Sequence, residues 1–291
     1  MLINHLSIIG VGLIGGSLAR ALRKAKLVAR VTGCNRSEET LKKALELNII
    51  DDYSLDISEA VKDADVVVIG TPLSVSERIL PKIADSVSSK TIITDVGSVK
   101  GGIVSAARKS LGNKFNNFVP GHPIAGTEKN GVEASFESLF VNHRVILTPL
   151  KETSLEAHKL ISLMWESAGA EVVDLAVEHH DQVLAATSHL PHMLAYALVD
   201  CLAGMQERDE IFKYAAGGFT DFTRIASSSP DMWHDICFSN RDALIQTLGV
   251  FSKHIDQLKI AIEKSDSDEL LRIFTRAKEA RDKFNKEQSN R

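Results

Sequence analysis

The stretch from Leu6 to Ser17 constrains the fold more than any other. An apolar run passes directly into Gly10-x-Gly12-x-x-Gly15, and Leu18, Ala19, Ala21 and Leu22 continue at helical spacing. That order is strand, tight turn, helix. Gly10 permits the turn, Gly12 lets the backbone approach a pyrophosphate with no Cβ in the way, and Gly15 lets the helix pack on the strand. A dinucleotide would meet free N–H groups at the positive end of the helix dipole, with Gly10, Gly12, Leu13, Ile14 and Gly15 as its contacts. The alternative is an ordinary glycine-rich βα turn; the flanking strand and helix favour the nucleotide.

The second strand is expected over Val28 to Cys34. The ribose-reading position, about twenty residues past the glycines, falls on Asn35, followed by Arg36. An acidic residue there would bind the 2′-hydroxyl of NAD and repel a 2′-phosphate. Asn35 removes that repulsion and Arg36 offers a guanidinium. The pair leans towards NADP and leaves NAD open, since Arg36 could equally be solvated or stack on the adenine of either cofactor.

The first half alternates strand and helix. Ser37 can cap a helix that carries Glu38 and Glu39 in its first turn and runs to about Leu47. Val66 to Gly70 is a continuous apolar run, as in a strand buried on both faces. Thr71 and Pro72 close it, at the end of the sheet where a cofactor would lie, and a helix follows to about Ser86. Further strands are expected at Thr91–Asp95, Phe118–Gly121, Arg144–Thr148 and Glu171–Asp174, with an amphipathic helix over Ser154–Ala168. This succession predicts an α/β fold, a doubly wound, mainly parallel sheet over residues 1–174. From 175 to 291 the pattern is helical, over His179–Met205 (kinked at Leu190-Pro191), Asn240–Glu263 and Ser267 to about Glu287. Such a domain walls a substrate cleft and often pairs two subunits.

A chain of 291 residues with 44% hydrophobic and 25% charged residues has the composition of a globular protein large enough for two domains. Its net charge of −4 gives no attraction for nucleic acid, and no stretch approaches a membrane span. The N-terminus leads straight into the first strand, leaving no room for a signal peptide. Cys34, Cys201 and Cys237 show no paired spacing and read as reduced, mostly buried thiols of a cytoplasmic protein.

Several segments carry chemistry. Ser98, in Asp95-Val-Gly-Ser-Val-Lys-Gly101, follows a predicted strand; it could bond the nicotinamide or a substrate hydroxyl, or only cap the next helix. His122, between Gly121 and Pro123 in a loop shared with Thr127 and Glu128, suits proton transfer near neutral pH. Ser188-His-Leu-Pro-His192 follows His179, His180 and Asp181. Pro191 breaks the register between His189 and His192, so the spacing does not predict a metal site; a substrate-facing His189 fits better. Asp221 and Arg224 stand one helical turn apart, usually a surface salt bridge. Beside a cleft, Arg224 would instead receive a carboxylate, and Trp233 would either shield that site from water or fill core.

Together, Gly10–Gly15, Asp95–Gly101, Gly121–Lys129, Ser188–His192 and Gly217–Ala226 resemble, in order and over nearly the whole chain, the prephenate/arogenate dehydrogenase family of tyrosine biosynthesis. The His-Pro-Ile-Ala-Gly-Thr and Phe-Thr-Asp-Phe-Thr-Arg blocks are specific in combination. The resemblance implies a Rossmann domain followed by a helical dimerisation domain and a homodimer. It also implies NAD(P)-dependent oxidative decarboxylation of prephenate to 4-hydroxyphenylpyruvate, or of arogenate to tyrosine, with prephenate favoured. By the same resemblance His122 is the acceptor for the C4 hydroxyl, with Ser98 beside it and the nicotinamide. Arg224 binds a substrate carboxylate, His189 lies near the substrate side chain, and Thr127 and Gly218 contribute to substrate binding. Glu128 and Asp221 stand at the cleft mouth. Asn35-Arg36 departs from the acidic residue of NAD-preferring members. No fused mutase or regulatory domain is expected, so any feedback by tyrosine would act at the active site as a product-like competitor. Two rivals remain: another hydroxyacid dehydrogenase, which would want a well-placed lysine in the helical domain, and a non-catalytic nucleotide sensor, which would not need His122, His189 and Arg224 together.

Overall fold

The computed structural model describes residues 2–127 and 129–289. Ile3–Ile9 (β1), Leu13–Lys24 (α1), Val28–Cys34 (β2), Glu38–Glu46 (α2), Asp52–Ser54 (β3), Ile57–Val61 (α3), Val66–Ile69 (β4), Leu73–Ser86 (α4), Ile92–Asp95 (β5), Gly101–Ser110 (α5) and Phe118–Val119 (β6) form the first section. Its six strands are parallel, in the order β3-β2-β1-β4-β5-β6. The order reverses between β1 and β4, which opens a crevice at the carboxyl ends of those strands.

The apolar run in β4 is explained by cover on both faces. Val66 and Val68 pack with Leu6, Ile8, Leu18, Leu22, Leu41 and Trp165 on one side. Val67 and Ile69 pack with Leu80, Ile83, Ile93 and Ile103 on the other. Full burial of one such side chain contributes about 1.5–3 kcal/mol, so a polar residue on either face of β4 would cost the sheet. Ser37 caps α2 as its position predicts, its hydroxyl accepting the Thr40 N–H.

The later strands depart from a single sheet. Gly121–Pro123 (β7), Arg144–Leu147 (β8), Leu155–Ser167 (α6) and Glu171–Asp174 (β9) follow, and the three strands form a second sheet ordered β7-β8-β9, with β7 antiparallel to β8. The strand expected over Phe118–Gly121 is therefore two strands in two sheets. Pro120 has no N–H to continue a ladder; its carbonyl accepts instead from Thr148 N–H at 2.9 Å. His122 consequently lies within β7 rather than in a loop beyond a strand.

Val177–Leu184 (α7) and Leu190–Ala203 (α8) are joined by a π turn over Ala185–His189, where Leu190 N–H bonds the Ala185 carbonyl. The irregularity expected at Leu190-Pro191 thus precedes the proline, which sits in the first turn of α8. The widened turn absorbs the N–H that proline lacks and shifts the face on which the histidines stand. Arg208–Lys213 (α9), Gly217–Thr223 (α10), Pro230–Ser239 (α11), Arg241–Glu263 (α12) and Ser267–Ser289 (α13) follow.

The chain divides into two compact units, the boundary falling within α12 between Ala243 and Leu244. The second unit holds the rest of α12 and α13, and Ile245, Val250, Ile255, Ile262, Leu271 and Phe274 are exposed on them. No described helix is long and apolar enough to cross a membrane. The cysteines differ from expectation: Cys34 is buried, Cys237 half-buried and Cys201 exposed, because Cys201 points out of α8.

Candidate active site

The carboxyl edge of the sheet forms the first part of the site. Gly10 adopts φ +97°, and a Cβ there would stand 2.5 Å from the Gly70 carbonyl oxygen. Glycine at this turn therefore lets the loops after β1 and β4 meet. The space beside Gly12 is open, with no atom within 4 Å of an added Cβ. Gly12 caps α1 without a side-chain acceptor, so the first-turn N–H groups, those of Leu13 and Ile14 included, have no intrahelical partner. At Gly15 a Cβ would stand 2.8 Å from the Gly10 carbonyl oxygen, so glycine there lets the helix close on the turn. This cradle fits a dinucleotide pyrophosphate.

Asn35 is tied to the glycine turn. Its Oδ1 accepts the Val11 N–H at 2.7 Å and its Nδ2 donates to the Val11 carbonyl at 3.3 Å, so its amide braces the glycine turn. Arg36 is exposed, with no hydrogen bond or ion pair among the described residues. Thr71 lies beside Gly10, its hydroxyl 2.9 Å from that of Ser76, and Pro72 caps α4.

After β5 the backbone is clamped by a buried ion pair. Lys100 is fully buried, its ammonium against the Asp95 carboxylate and donating to the Gly121 carbonyl at 2.6 Å. Asp95 also accepts Gly97 N–H at 2.8 Å and Gly121 N–H at 3.3 Å. Burial pulls the Lys100 pKa down and the Asp95 charge opposes that pull. Gly121 is thus held at both its N–H and its carbonyl, which positions His122. Ser98 is half-buried, its hydroxyl unpartnered among the described residues; it does not cap α5, whose cap residue is Lys100.

His122 continues into a relay. Its Nδ1 lies 2.9 Å from His180 Nε2, and His180 Nδ1 lies 2.7 Å from Asp181 Oδ1. Asp181 also accepts Lys100 N–H at 2.9 Å and Gly101 N–H at 2.8 Å. A side chain at residue 101 would crowd that carboxylate, since an added Cβ sits 3.0 Å from Asp181 Oδ2. Burial raises the Asp181 pKa, but the His180 bond and the two backbone N–H groups outweigh it and hold the carboxyl below its usual range. The carboxylate takes the His180 Nδ1–H. A neutral imidazole has one N–H, so His180 Nε2 accepts, His122 Nδ1 donates, and His122 Nε2 keeps its lone pair. Burial, then the Lys100 charge and the neighbouring histidines, hold His122 well below the ordinary histidine pKa.

A second cluster adjoins the first. His189 is buried and pushed down to about 4, chiefly by burial. Its Nδ1 lies 3.1 Å from Asn240 Nδ2, and its Nε2 is buried without a partner among the described residues. His192 stacks on the buried Trp233, ring centroids 3.8 Å apart, and His189 meets the same indole edge-on at 6.0 Å. Burial lowers the His192 pKa, the Ser188 carbonyl opposes this, and the Arg224 charge lowers it further, which places that guanidinium within electrostatic reach.

His189 and Trp233 are thus in ring contact, the His189 charge is felt at His122, and the Arg224 charge is felt at His192. Thr127 is exposed, its hydroxyl exchanging 3.2 Å bonds with the Lys129 backbone. Gly218 and Asp221 are exposed on α10, and no ion pair joins Asp221 to Arg224 among the described residues. Glu128 lies outside the described residues. Sequence reasoning passes over Lys100, Asp95 and Asn240, and notices His180 and Asp181 only as part of a poor metal pattern. The usable signal is a lysine in an otherwise apolar Val-Lys-Gly turn and an adjacent His-Asp pair.

The family described as "Prephenate dehydrogenase, nucleotide-binding domain" matches residues 18–174, and "Prephenate dehydrogenase, dimerization domain" matches residues 176–276. The chain is 39% identical over 280 residues to the cyclohexadienyl dehydrogenase of Zymomonas mobilis, covering 96% of this chain and 95% of that protein. It is 38% identical over 275 residues to the prephenate dehydrogenase of Bacillus subtilis, covering 94% and 74%. Its fold matches the crystal structure of the A. aeolicus prephenate dehydrogenase in complex with hydroxyphenyl propionate and NAD+, with a TM-score of 0.91, 38% identity, and coverage of 97% and 98%. Because the two family models together match most of residues 18–276 and the Zymomonas mobilis relative aligns over 96% of the chain, the chain belongs to the prephenate dehydrogenase family.

Proposed function

We propose that this protein catalyses the oxidative decarboxylation of prephenate to 4-hydroxyphenylpyruvate, with residues 1–174 carrying the cofactor and residues 175–291 completing the substrate site. The observation that carries this reading is the Asp181–His180–His122 relay, which leaves a neutral imidazole with a free lone pair. When bound, the nicotinamide supplies the hydride acceptor.

The chain's own residues do the rest. His122 Nε2 takes the proton of the substrate's C4 hydroxyl as that carbon becomes a carbonyl. His180 and Asp181 hold the imidazole in orientation and offset the positive charge it gains. Ser98, with a free hydroxyl, bonds the same substrate oxygen or His122. Arg224 binds a substrate carboxylate, and Trp233 keeps water from the ring. Loss of carbon dioxide then leaves an aromatic product, which makes the step effectively irreversible. His189, buried and uncharged, supports a keto side chain (prephenate) over an ammonium (arogenate). Arg36, exposed and unpartnered among the described residues, supports use of NADP through its 2′-phosphate. The apolar side chains exposed on α12 and α13 support pairing with a second copy.

His122→Asn should lower kcat for prephenate by about 10²–10⁴-fold with little change in KM; equal losses in both would exclude proton transfer. In the wild type, activity should persist through pH 6.5 and fall only in more acid solution, where His122 protonates, and the variant should lose that acid limb. Arg224→Ala should raise KM for prephenate by about 10–100-fold, the value of one charge-assisted bond; an unchanged KM removes it from the site. Arg36→Ala should raise KM for NADP about tenfold and leave NAD unaffected, and equal effects on both cofactors would exclude a 2′-phosphate contact. Analytical ultracentrifugation should return twice the chain mass of 31.8 kDa; a monomer at micromolar concentration would contradict the pairing.

A further inference from the structure

Asn240 is buried where α11 ends, and its amide has two acceptors to serve. Nδ2 donates to the Asp181 carbonyl at 2.7 Å and lies 3.1 Å from His189 Nδ1. The reverse amide orientation would set Oδ1 against that carbonyl, two acceptors with no proton between them. The amide nitrogen must therefore face His189, whose Nδ1 can only accept. A neutral ring with an accepting Nδ1 carries its proton on Nε2, and that atom is buried without a partner among the described residues. A buried donor left unpaired is costly, so this nitrogen is aimed at an acceptor that the described residues do not supply.

The surroundings say what kind of acceptor. His189 meets the Trp233 indole edge-on, and Trp233 stacks on His192. His189 is linked to His122 by hydrogen bonds, through Asn240 to the Asp181 carbonyl and from the Asp181 side chain through His180. The unpaired donor thus belongs to the same buried centre as the lone pair of His122. We propose that Asn240 is a positioning residue that holds His189 as an Nε2–H donor for a substrate oxygen. The centre then presents one acceptor, His122 Nε2, and one donor, His189 Nε2–H, both without net charge. Asp181 links the two settings, since its side chain orders His180 while its carbonyl orders Asn240. The inference rests on the reaction proposed above taking place at this centre.

The test reads the proton directly. Long-range ¹H–¹⁵N correlation spectra of protein labelled at the histidine ring nitrogens should show His189 with Nδ1 bare and Nε2 protonated at pH 7 in the resting wild type. Asn240→Asp replaces the donor with an acceptor and should move the proton to Nδ1. In steady-state assays this variant should raise KM for prephenate about tenfold, the loss of one hydrogen bond, with kcat changed by less than about threefold. A wild-type His189 protonated at Nδ1 overturns the proposal, and so does a variant whose proton has moved while KM has not. Should the variant fail to fold, the wild-type spectrum still decides. That spectrum needs no turnover, so inactivity towards prephenate would count against the reaction and not against the tautomer.

Discussion

The Asp181 carboxylate is the joint on which the site depends. It draws together two parts of the chain that differ in kind: the N–H groups of Lys100 and Gly101, where the loop after β5 enters α5, and the ring of His180 on α7. A half-buried carboxylate accepting three N–H bonds stays ionised and holds its donors in direction as well as distance. Without it, the imidazole behind His122 would lose its orientation. The absence of a Cβ at Gly101 is the steric condition for that contact.

Burial of a charged pair usually gives little net stability, and the Lys100–Asp95 pair is better understood by what it positions. Its two groups together grip Gly97 and both backbone polar groups of Gly121. The loop bearing Ser98 and the strand bearing His122 are therefore set against one another by a single buried node. The Lys100 charge also acts at a distance: with burial, it keeps His122 uncharged. The same low-dielectric environment keeps His189 neutral, so the cluster works through hydrogen-bond direction more than through charge.

At the cofactor edge the division of labour is different. The glycines supply space and open N–H groups, while Asn35 spends its amide on the Val11 backbone. The residue at the ribose-reading position thus stiffens the glycine turn.

Much of this is legible in the residues themselves. The glycine spacing dictates the turn because only an absent Cβ allows the loops after β1 and β4 to meet. The unbroken apolar run at Val66–Ile69 dictates a strand covered on both faces, and Ser37 with two glutamates dictates a helix start. These are local constraints, decided within a few residues by sterics and hydrogen bonding. The partition of the later strands into a second sheet, the π turn before Pro191, and the assembly of His122, His180, Asp181, Lys100 and Asn240 are decided only in three dimensions. Their partners lie tens of residues apart, and whether a histidine is a base, a donor or a surface residue depends on which neighbour takes its other nitrogen, a matter that spacing along the chain does not encode.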